Sequence, residues 1–332
     1  MTNILLVDSY NALFQLLHVH EPNVFWRFTT DLKGIMADLK ISKVIMCCDA
    51  GSSKYRLEKY PAYKGTRQEA RDKATPAEVA RRDKFMAETR VFLDECPMFG
   101  FEVVKCPGIE ADDIIAYFVQ HVDLTKFRLG ILSSDTDLFQ LIRPNVVQRS
   151  YSDKMKFKPL ALDVPKKVWV NYARFLDVYD VTPEQWPHVK ALAGDTGDNI
   201  TSPAGLGDTF ALKLIQKYGN IDGVFKAAND DTLDIPRMTQ KVKTALASAE
   251  GQAMVRRNME LVSLLYTPEV EAQIFGHWAS KIDAVIANLK ESPVLDLPAI
   301  KEKMFEDGRV KLYHEHERWV REFHGFNNTS AF

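Results

Sequence analysis

The sequence predicts an α/β fold in which a central, mainly parallel sheet is followed by a mostly helical region. Short apolar runs rich in β-branched residues alternate with helical patterns over about the first 180 residues. Such alternation is typical of parallel strands joined by crossover helices. Each run also ends at or shortly before carboxylates, and the carboxyl ends of parallel strands are where functional groups of such sheets collect.

Four apolar runs carry this pattern. The runs and the acids that follow them are 4–7 with Asp8, 44–48 with Asp49, 101–104 with Glu110, Asp112 and Asp113, and 129–132 with Asp135 and Asp137. Because the carboxyl ends of parallel strands meet at one edge of a sheet, we expect these side chains to collect there.

The segments between and after these runs have helical patterns. A charged segment from about Thr66 to Leu93 is interrupted at Thr75-Pro76, which predicts two helices joined by a short turn. From about Thr182 the pattern is mostly helical and includes a helix from Thr209 to Tyr218, stopped by Gly219. We therefore expect three regions, at 1–180, 181–265 and 266–332. The fold of the last is left open, apart from a helical piece near 281–289.

The net charge of −2 hides a segregation of charge along the chain. Residues 54–90 contain eleven basic and six acidic residues, whereas acids gather in short motifs elsewhere. A basic stretch beside acidic motifs is typical of an enzyme that holds phosphates and metal ions. Solvated charged helices give the same pattern, so charge alone does not decide between the two.

The remaining compositional features predict a soluble, cytoplasmic protein. The four cysteines form no CxxC pair, which argues against structural zinc and fits a reducing compartment. The N-terminus lacks the basic segment of a secretory signal, and no apolar run approaches the roughly 20 residues that cross a bilayer. His18 and His20 are interpreted as surface or capping residues, because no motif pairs them with a nucleophile.

Nine carboxylates in these motifs predict a site for hard divalent cations. They are Asp8, Asp49, Glu110, Asp112, Asp113, Asp135, Asp137, Asp195 and Asp198. Clustered carboxylates repel one another unless cations neutralise them, and oxygen ligands select Mg²⁺ or Mn²⁺. Two such ions about 4 Å apart can activate a water and stabilise the leaving oxygen in phosphodiester cleavage.

Spacing within the motifs supports this interpretation. Asp135 and Asp137 share one side if their segment is a strand, and Asp195 and Asp198 share one face of a helix. Glu110 and Asp113 stand three apart near a helix start, where the helix dipole favours carboxylates. For a single motif, helix caps and turn residues are the favoured explanation of the acids. The joint placement of all the motifs at strand ends favours metal binding.

The motifs together resemble the flap endonuclease family, with bacterial and bacteriophage 5′-nucleases the most similar by pattern. The resemblance rests on Asp8, Asp49, residues 108–113, residues 134–137, residues 194–199, residues 60–67 (YPAYKGTR) and residues 204–207 (AGLG). These motifs occur in the family's order over roughly residues 1–225. Each is weak alone, and their ordered combination is specific.

This resemblance implies a PIN-like nuclease domain with two metal sites. Asp8, Asp49, Glu110 and Asp112 would surround the first ion, Asp135, Asp137, Asp195 and Asp198 the second, and Asp113 would lie in an outer shell. Lys64 and Arg67 would contact the scissile phosphate, and Tyr63 would stack on a base near the cut. Residues 64–95 would form a helical arch that admits a 5′ single strand.

The resemblance also implies a helix–three-turn–helix module for duplex binding. Gly205 and Gly207 would let a loop approach one phosphate backbone, and such loops in the family carry a monovalent cation such as K⁺. Ser202 and Asp208 depart from the usual pattern, which leaves K⁺ binding open. The other candidate DNA-binding residues are Lys213, Lys217, Arg71, Arg81 and Arg82; for the two lysines a solvated helix face is an equal alternative.

The function implied is a Mg²⁺-dependent, structure-specific 5′-nuclease of DNA replication or repair, with Mn²⁺ as a substitute. Its substrates would be 5′ flaps, 5′ ends and RNA–DNA hybrids such as primers, and the protein would act as a monomer. Residues 319–326 are either a docking peptide for a replication partner, such as a single-strand-binding protein or clamp, or a terminal helix. The alternatives are a catalytically weak, structure-specific DNA-binding protein and a PIN-type ribonuclease.

Overall fold

A computed structural model describes residues 1–14, 24–149 and 169–308. His18, His20 and residues 319–326, for which the sequence raised candidate roles, lie outside these ranges. The chain divides into two compact units. The first comprises Met1–Ala50, Ala77–Ser133 and His277–Phe332, and the second comprises Gly51–Pro76 and Ser134–Gly276. The boundaries expected at residues 180 and 265 stay a prediction, since they concern functional regions rather than packing units.

The described residues form strands, α-helices and short 3₁₀ turns. In chain order the strands and helices are β1 (Thr2–Asp8), α1 (Ser9–Phe14), α2 (Val24–Leu39), β2 (Lys43–Cys48), α3 (Lys54–Lys59), α4 (Gly65–Asp72), α5 (Pro76–Glu95), β3 (Glu102–Lys105), α6 (Ala111–His121), β4 (Phe127–Leu132), β5 (Val146–Arg149), α7 (Tyr172–Tyr179), α8 (Trp186–Ala193), α9 (Asp208–Tyr218), α10 (Ile221–Asn229), α11 (Gln240–Ala247), α12 (Ala249–Val262), α13 (Pro268–Phe275), α14 (Trp278–Ala287) and α15 (Leu297–Glu306). No helix among the described residues is both long enough and apolar enough to span a membrane.

The first unit is built on a parallel sheet with the strand order β3-β2-β1-β4. The central strand β1 pairs with both neighbours, so Val7 lies between Met46 and Leu132. Every residue of β2, and β1 from Ile4 to Asp8, is buried. Burial on both faces explains why these strands read as continuous apolar runs rather than alternating ones.

The second unit is mainly helical and packs around aromatic side chains. The rings of Phe139, Phe175, Tyr179 and Trp186 lie within 4.8–6.0 Å of one another and are all buried. Edge-to-face and tilted contacts such as these add to the stabilisation from burial alone. This core lies beneath the 3₁₀ turn Asp137–Leu141, which contributes Phe139.

The structure confirms the α/β class and most of the expected helices. The charged segment forms α4 and α5 on either side of Thr75, although its role as an arch stays a prediction. The helix expected at Thr209–Tyr218 is α9, and it ends at Gly219. The helical piece expected near 281–289 is α14.

Two local expectations were wrong. Asp135 and Asp137 do not lie on a strand, because β4 ends at Leu132 and Asp137 begins a 3₁₀ turn. Asp195 and Asp198 do not share a helical face, because α8 ends at Ala193 and the chain then forms a turn. In both places side-chain and backbone hydrogen bonds within the acidic motif favour a turn over a regular element.

Candidate active site

The first acidic cluster lies in the first unit, where its parallel strands end. Asp8 is the last residue of β1, and Asp49 directly follows β2. Asp8 is opposite Cys47 in the parallel register, so both strands deliver their acids to one edge. The Asp8 side chain is 8% exposed, and the Ser133 hydroxyl donates a hydrogen bond of 2.8 Å to its Oδ2 atom.

Three more acids join this cluster at the start of α6. Carboxylate oxygens of Glu110, Asp112 and Asp113 lie within 4.8 Å of one another. The backbone N–H of Ala111 donates to Asp49 Oδ1 at 2.8 Å, so the Asp49 motif and α6 are in contact. Asp113 is fully buried and accepts the Glu110 N–H at 3.3 Å, as a capping residue does.

The second acidic cluster begins with the Asp135–Asp137 turn of the second unit. The Asp137 N–H donates to Asp135 Oδ1 at 2.8 Å, which closes the turn. Three consecutive carbonyls of this turn accept hydrogen bonds from side chains of the core. Gln148 Nε2 donates to Asp135 O at 2.6 Å, Trp186 Nε1 to Thr136 O at 2.8 Å, and Gln140 Nε2 to Asp137 O at 2.7 Å. The carbonyls are therefore held by the protein interior, while Asp135 itself is exposed.

A second turn, residues 195–200, supplies the other two acids. Asp195 and Ile200 exchange both backbone hydrogen bonds, at 2.8 and 2.7 Å, and Asp195 Oδ1 accepts the Gly197 N–H at 2.8 Å. Gly194 has φ +71° and ψ −175°, a conformation that is open essentially to glycine alone. A Cβ atom there would lie 2.5 Å from the Ile200 carbonyl oxygen. Glycine is therefore required for the turn to close.

Lys190 connects the two turns, and sequence reasoning missed it. Its ammonium lies 2.8 Å from Asp137 Oδ1 and 3.3 Å from Asp195 Oδ2. It lies on α8, five residues before Asp195, and no family motif contains it. A lysine near the end of a helix that leads into an acidic turn is the only signal in the sequence.

The electrostatics of this group reflect burial first and the crowding of like charges second. Burial raises the pKa of Asp137 to about 7, and the neighbouring carboxylates of Asp135 and Asp195 add to this rise while Lys190 opposes it. Burial by itself would lower the pKa of Lys190, but Asp137 and Asp195 raise it above its ordinary value. These acids therefore favour a cation among them, and lysine supplies one.

Asp198 brings together the three candidate catalytic residues. The Tyr63 hydroxyl donates to Asp198 Oδ2 at 3.0 Å, and Arg67 Nη2 donates to Oδ1 at 2.6 Å. Lys64 Nζ lies 3.9 Å from Oδ2, and the Lys64 N–H donates to the Asp198 carbonyl at 3.0 Å. Motifs more than 130 residues apart in sequence thus meet at one carboxylate.

The environment of Tyr63 argues against the stacking role expected for it. Its ring is 5% exposed and belongs to the hydrophobic core of the second unit. A ring held in the core does not present a face to a base. The hydroxyl contact with Asp198 indicates instead that Tyr63 orients this carboxylate.

The candidate DNA-binding residues are exposed, and they differ in whether another side chain of the protein already pairs with them. Gly205 and Gly207 are exposed, and a Cβ atom built at either would meet nothing within 4 Å. Lys213 is exposed on α9, whereas Lys217 Nζ pairs with Asp234 at 2.8 Å, which reduces its availability for phosphate. Arg71 is exposed in the second unit, and Arg81 and Arg82 are exposed in the first.

The first cluster suits a hard divalent cation. Among the described residues, Glu110, Asp112 and Asp113 are the carboxylates whose oxygens lie close enough together to share one ion. Carboxylate oxygens are the ligands that hard cations prefer over nitrogen and sulfur. In the second cluster burial is the main cause of the raised pKa of Asp137, and the repulsion by Asp135 and Asp195 adds to it.

Two family models match the chain. The N-terminal resolvase-like domain of 5′-3′ exonucleases matches residues 3–167, and the C-terminal SAM fold of 5′-3′ exonucleases matches residues 181–276. These matches include every candidate site residue named above.

Curated relatives include DNA polymerase I from several bacteria. The chain is 26% identical to the Bacillus caldotenax enzyme over 306 residues, which is 89% of this chain and 31% of that protein. It is 28% identical to the Mycobacterium bovis enzyme over 247 residues, 73% of this chain and 24% of that protein. The chain thus spans about a quarter to a third of the length of these relatives.

Solved structures with the same fold include two of bacteriophage T5 proteins. One is the T5 5′-exonuclease with bound zinc, and another is the T5 flap endonuclease in a pseudo-enzyme-product complex with DNA and metal ions. Each is 23% identical with a TM-score of 0.70, and the match covers 87% of this chain and 100% of the phage chain.

Proposed function

The chain belongs to the 5′-3′ exonuclease family, and from this premise we propose that it is a structure-specific 5′-nuclease cutting phosphodiester bonds near single-strand/duplex junctions. The substrates proposed are DNA with a 5′ flap or a 5′ end, and RNA primers in RNA–DNA hybrids. Mg²⁺ is the proposed cofactor, with Mn²⁺ as a substitute. The biological setting proposed is DNA replication or repair.

The observation that carries this proposal is the convergence on Asp198. A carboxylate of one acidic turn contacts Tyr63, Lys64 and Arg67, which come from the distant YPAYKGTR motif. Cations beside a metal-binding carboxylate are suited to a phosphate that must approach the metal. Neither a structural role for the acids nor a role in helix capping explains why two cations and a hydroxyl meet there.

The proposed roles follow from the contacts. Divalent ions, when bound, supply an activated water and stabilise the charge on the leaving oxygen. Lys64 and Arg67 bind the scissile phosphate and neutralise charge on its oxygens. Tyr63 orients Asp198. Lys190 balances the charge of Asp137 and Asp195 when the turns lack a metal ion.

The proposed division of the acids between two ions follows the two clusters. Asp8, Asp49, Glu110 and Asp112 bind the first ion, with Asp113 behind them. Asp135, Asp137, Asp195 and Asp198 bind the second ion. Gly205 and Gly207 approach a phosphate backbone of the duplex, with K⁺ as a further proposed cofactor of that loop, and Lys213, Arg71, Arg81 and Arg82 add phosphate contacts. We also propose that the chain acts as a monomer and docks a replication partner through its C-terminal region.

A cleavage assay with Mg²⁺ tests the proposal. End-labelled 5′-flap, nicked and blunt DNA, an RNA–DNA hybrid and a single-stranded RNA of equal length are compared, with and without EDTA. We expect EDTA-sensitive cleavage near the flap junction. DNA binding without cleavage in any arm would favour a non-catalytic DNA-binding protein, and cleavage of the single-stranded RNA alone would favour a ribonuclease.

The metal ligands are tested by one substitution in each unit. Asp49→Asn and Asp135→Asn keep the size of the side chain and remove its charge. We expect each to abolish cleavage and to leave flap-DNA affinity within a few-fold of the unmodified protein. Undiminished turnover in both variants would refute the assignment of ions to the two clusters.

A further inference from the structure

The last turn of α12 and the residues after it lie outside every motif, yet they make buried polar contacts with the second unit. Arg56, Gln140 and Asn258 are at most 3% exposed, although polar side chains are seldom so buried without a specific partner. Each of the three links residues 258–264, which we call the α12 anchor, to a different segment of the candidate active site.

Gln140 links the anchor to the first acidic turn. Its Nε2 atom donates to Asp137 O at 2.7 Å and to Val262 O at 3.0 Å. Its Oε1 atom accepts the Leu264 N–H at 2.7 Å. Both amide protons and the amide oxygen are used, so the side chain has a single orientation.

Asn258 links the anchor to the second acidic turn. Its Nδ2 atom donates to Ala191 O at 3.0 Å and to Thr201 O at 2.8 Å. Ala191 directly follows Lys190, and Thr201 directly follows Ile200, which closes the turn with Asp195. One amide therefore holds both ends of residues 191–201, which carry Asp195 and Asp198 and directly follow Lys190.

Arg56 links the anchor to the segment that carries Tyr63 and Lys64. Its Nε atom donates to Leu261 O at 2.9 Å from the buried face of α3. Its guanidinium lies 6.0 Å from the centre of the Tyr63 ring, within the range of a cation–π contact. The phosphate-binding segment therefore rests on the same anchor as the two acidic turns.

We propose that Gln140 and Asn258 are positioning residues that use the α12 anchor as a template for the second metal site, and that Arg56 positions the neighbouring Tyr63–Lys64 segment on the same anchor. This inference rests on the proposed function, because it assigns the Asp135–Asp137 and Asp195–Asp198 turns to one ion. The two turns are far apart in sequence. Trp186 and Lys190 of α8 contact the first turn directly. The α12 anchor adds a second connection, since Gln140 of the first turn hydrogen-bonds to it and Asn258 of the anchor hydrogen-bonds to both ends of residues 191–201.

The test compares Gln140→Met and Asn258→Leu with Gln252→Met as a matched control. Gln252 is also an amide linked to the chain by hydrogen bonds, but its Nε2 atom donates to Leu246 O and to Asn229 Oδ1, outside both acidic turns. Titration calorimetry with Mn²⁺ measures ion binding by the full chain, and single-turnover cleavage of a 5′-flap DNA measures the chemical step. Thermal melts of each variant report folding.

We expect Gln140→Met and Asn258→Leu to weaken the second Mn²⁺ ion by roughly 10- to 100-fold, as outer-shell substitutions do, and to leave the first ion unchanged. Gln252→Met should leave both ions unchanged. Arg56→Met should slow single-turnover cleavage more than it weakens either ion, because its segment carries Lys64 rather than a ligand. If Asn258→Leu does not fold, Asn258→Ser, which keeps a hydroxyl donor, replaces it.

Wild-type affinity for both ions in Gln140→Met and Asn258→Leu would overturn the inference. Equal weakening of both ions would overturn it too, since that result indicates a general loss of stability. Failure of the proposed function has a different signature: the unmodified chain would then bind fewer than two Mn²⁺ ions and would not cleave flap DNA.

Discussion

At the scale of single residues, the groups around Asp198 determine the protonation of its carboxylate. Burial raises the pKa of Asp198 above its ordinary value, while Lys64 and Arg67 lower it and the Tyr63 hydroxyl stabilises the charged form. In the proposed mechanism a bound ion would neutralise Asp198, and Lys64 and Arg67 would then be available to bind a phosphate.

Lys64→Ala is predicted to affect chemistry more than binding. Loss of one cation that stabilises the reacting phosphate should lower the single-turnover rate by roughly 100- to 1000-fold, as loss of a single transition-state donor does elsewhere. Flap-DNA affinity, measured by fluorescence anisotropy, should change only a few-fold. Lys59→Ala is the control, since Lys59 is an exposed lysine that pairs with Glu260 rather than with an acidic turn. Normal single-turnover cleavage in Lys64→Ala would contradict the role.

Ion binding at the second cluster is predicted to depend on pH. The pKa of Asp137 is about 7 in the metal-free protein, and a metal binds the ionised carboxylate. Below pH 7 the carboxyl must therefore lose its proton before it can bind an ion, so affinity should be full above about pH 8 and fall as pH decreases through 7. Calorimetry with Mn²⁺ in buffers of different ionisation enthalpy measures the proton released. Asp137→Asn should abolish that release, and an equal release in this variant would assign the proton to another group.

At the scale of elements, the second site consists of turns rather than strands or helices. The chain leaves β4 at Leu132 and α8 at Ala193 before its acids begin. Turns let two carboxylates close in sequence point the same way without the fixed geometry of a regular element. A turn is conformationally freer than a helix or strand. Core donors such as Gln148 and Trp186 restrict the Asp135–Asp137 turn by hydrogen-bonding to its carbonyls.

Gly194→Ala is predicted to destabilise the turn at 195–200. The positive φ of Gly194 and the 2.5 Å approach of its missing Cβ to Ile200 O leave no room for a methyl group. We expect the free energy of unfolding to fall by about 1–3 kcal/mol, the range for strained backbone conformations. Chemical denaturation measures it.

Gly207→Ala is the control for that experiment. Gly207 has φ −91°, and a methyl group added at its Cα would meet no atom within 4 Å. Stability should therefore stay within about 0.5 kcal/mol, as for ordinary surface substitutions. Equal stability of Gly194→Ala and Gly207→Ala would mean that the turn relaxes without penalty.

At the scale of the whole molecule, residues 277–308 are part of the first unit. Trp26 Nε1 donates to Asp307 at 2.7 Å, Lys303 pairs with Glu95 at 2.9 Å, and Lys43 donates to the Asn288 carbonyl at 2.9 Å. The apolar side chains buried from this region are Ile282, Leu289, Ile300 and Met304. Helices α14 and α15 thus belong to the core of the sheet-containing unit, although the family match ends at residue 276.

Truncation after Gly276 is predicted to destabilise the first unit. The truncation removes four buried apolar side chains and exposes the surfaces against which they pack. This loss should lower the free energy of unfolding by about 6 kcal/mol or more, which is comparable with the entire stability of many domains. Circular dichroism melts should show a lower Tm or an unfolded first unit. Truncation after Gly308 is the control, because it retains α14 and α15. Identical melting of both truncated chains would contradict this account.

The sequence by itself determined the family, the α/β class, the helices around Thr75 and the identity of the acids. These features are encoded locally, because apolar periodicity, Pro and Gly signals and ordered motifs each depend on a few neighbouring residues. The match of the family models to residues 3–167 and 181–276 confirms the family, and the roles of the acids stay a prediction.

Only the tertiary structure decided which groups meet. The structure places Lys190 between two acidic turns and the Tyr63 hydroxyl on Asp198. It also joins Gln140 to Val262 and Asn258 to Ala191, so that these contacts connect residues from 5 to 135 positions apart. A buried polar side chain is satisfied by whichever partner the packed core presents, and no periodicity in the chain records that partner. The same holds for α14 and α15, whose place in the first unit depends on surfaces formed by residues more than 150 positions earlier.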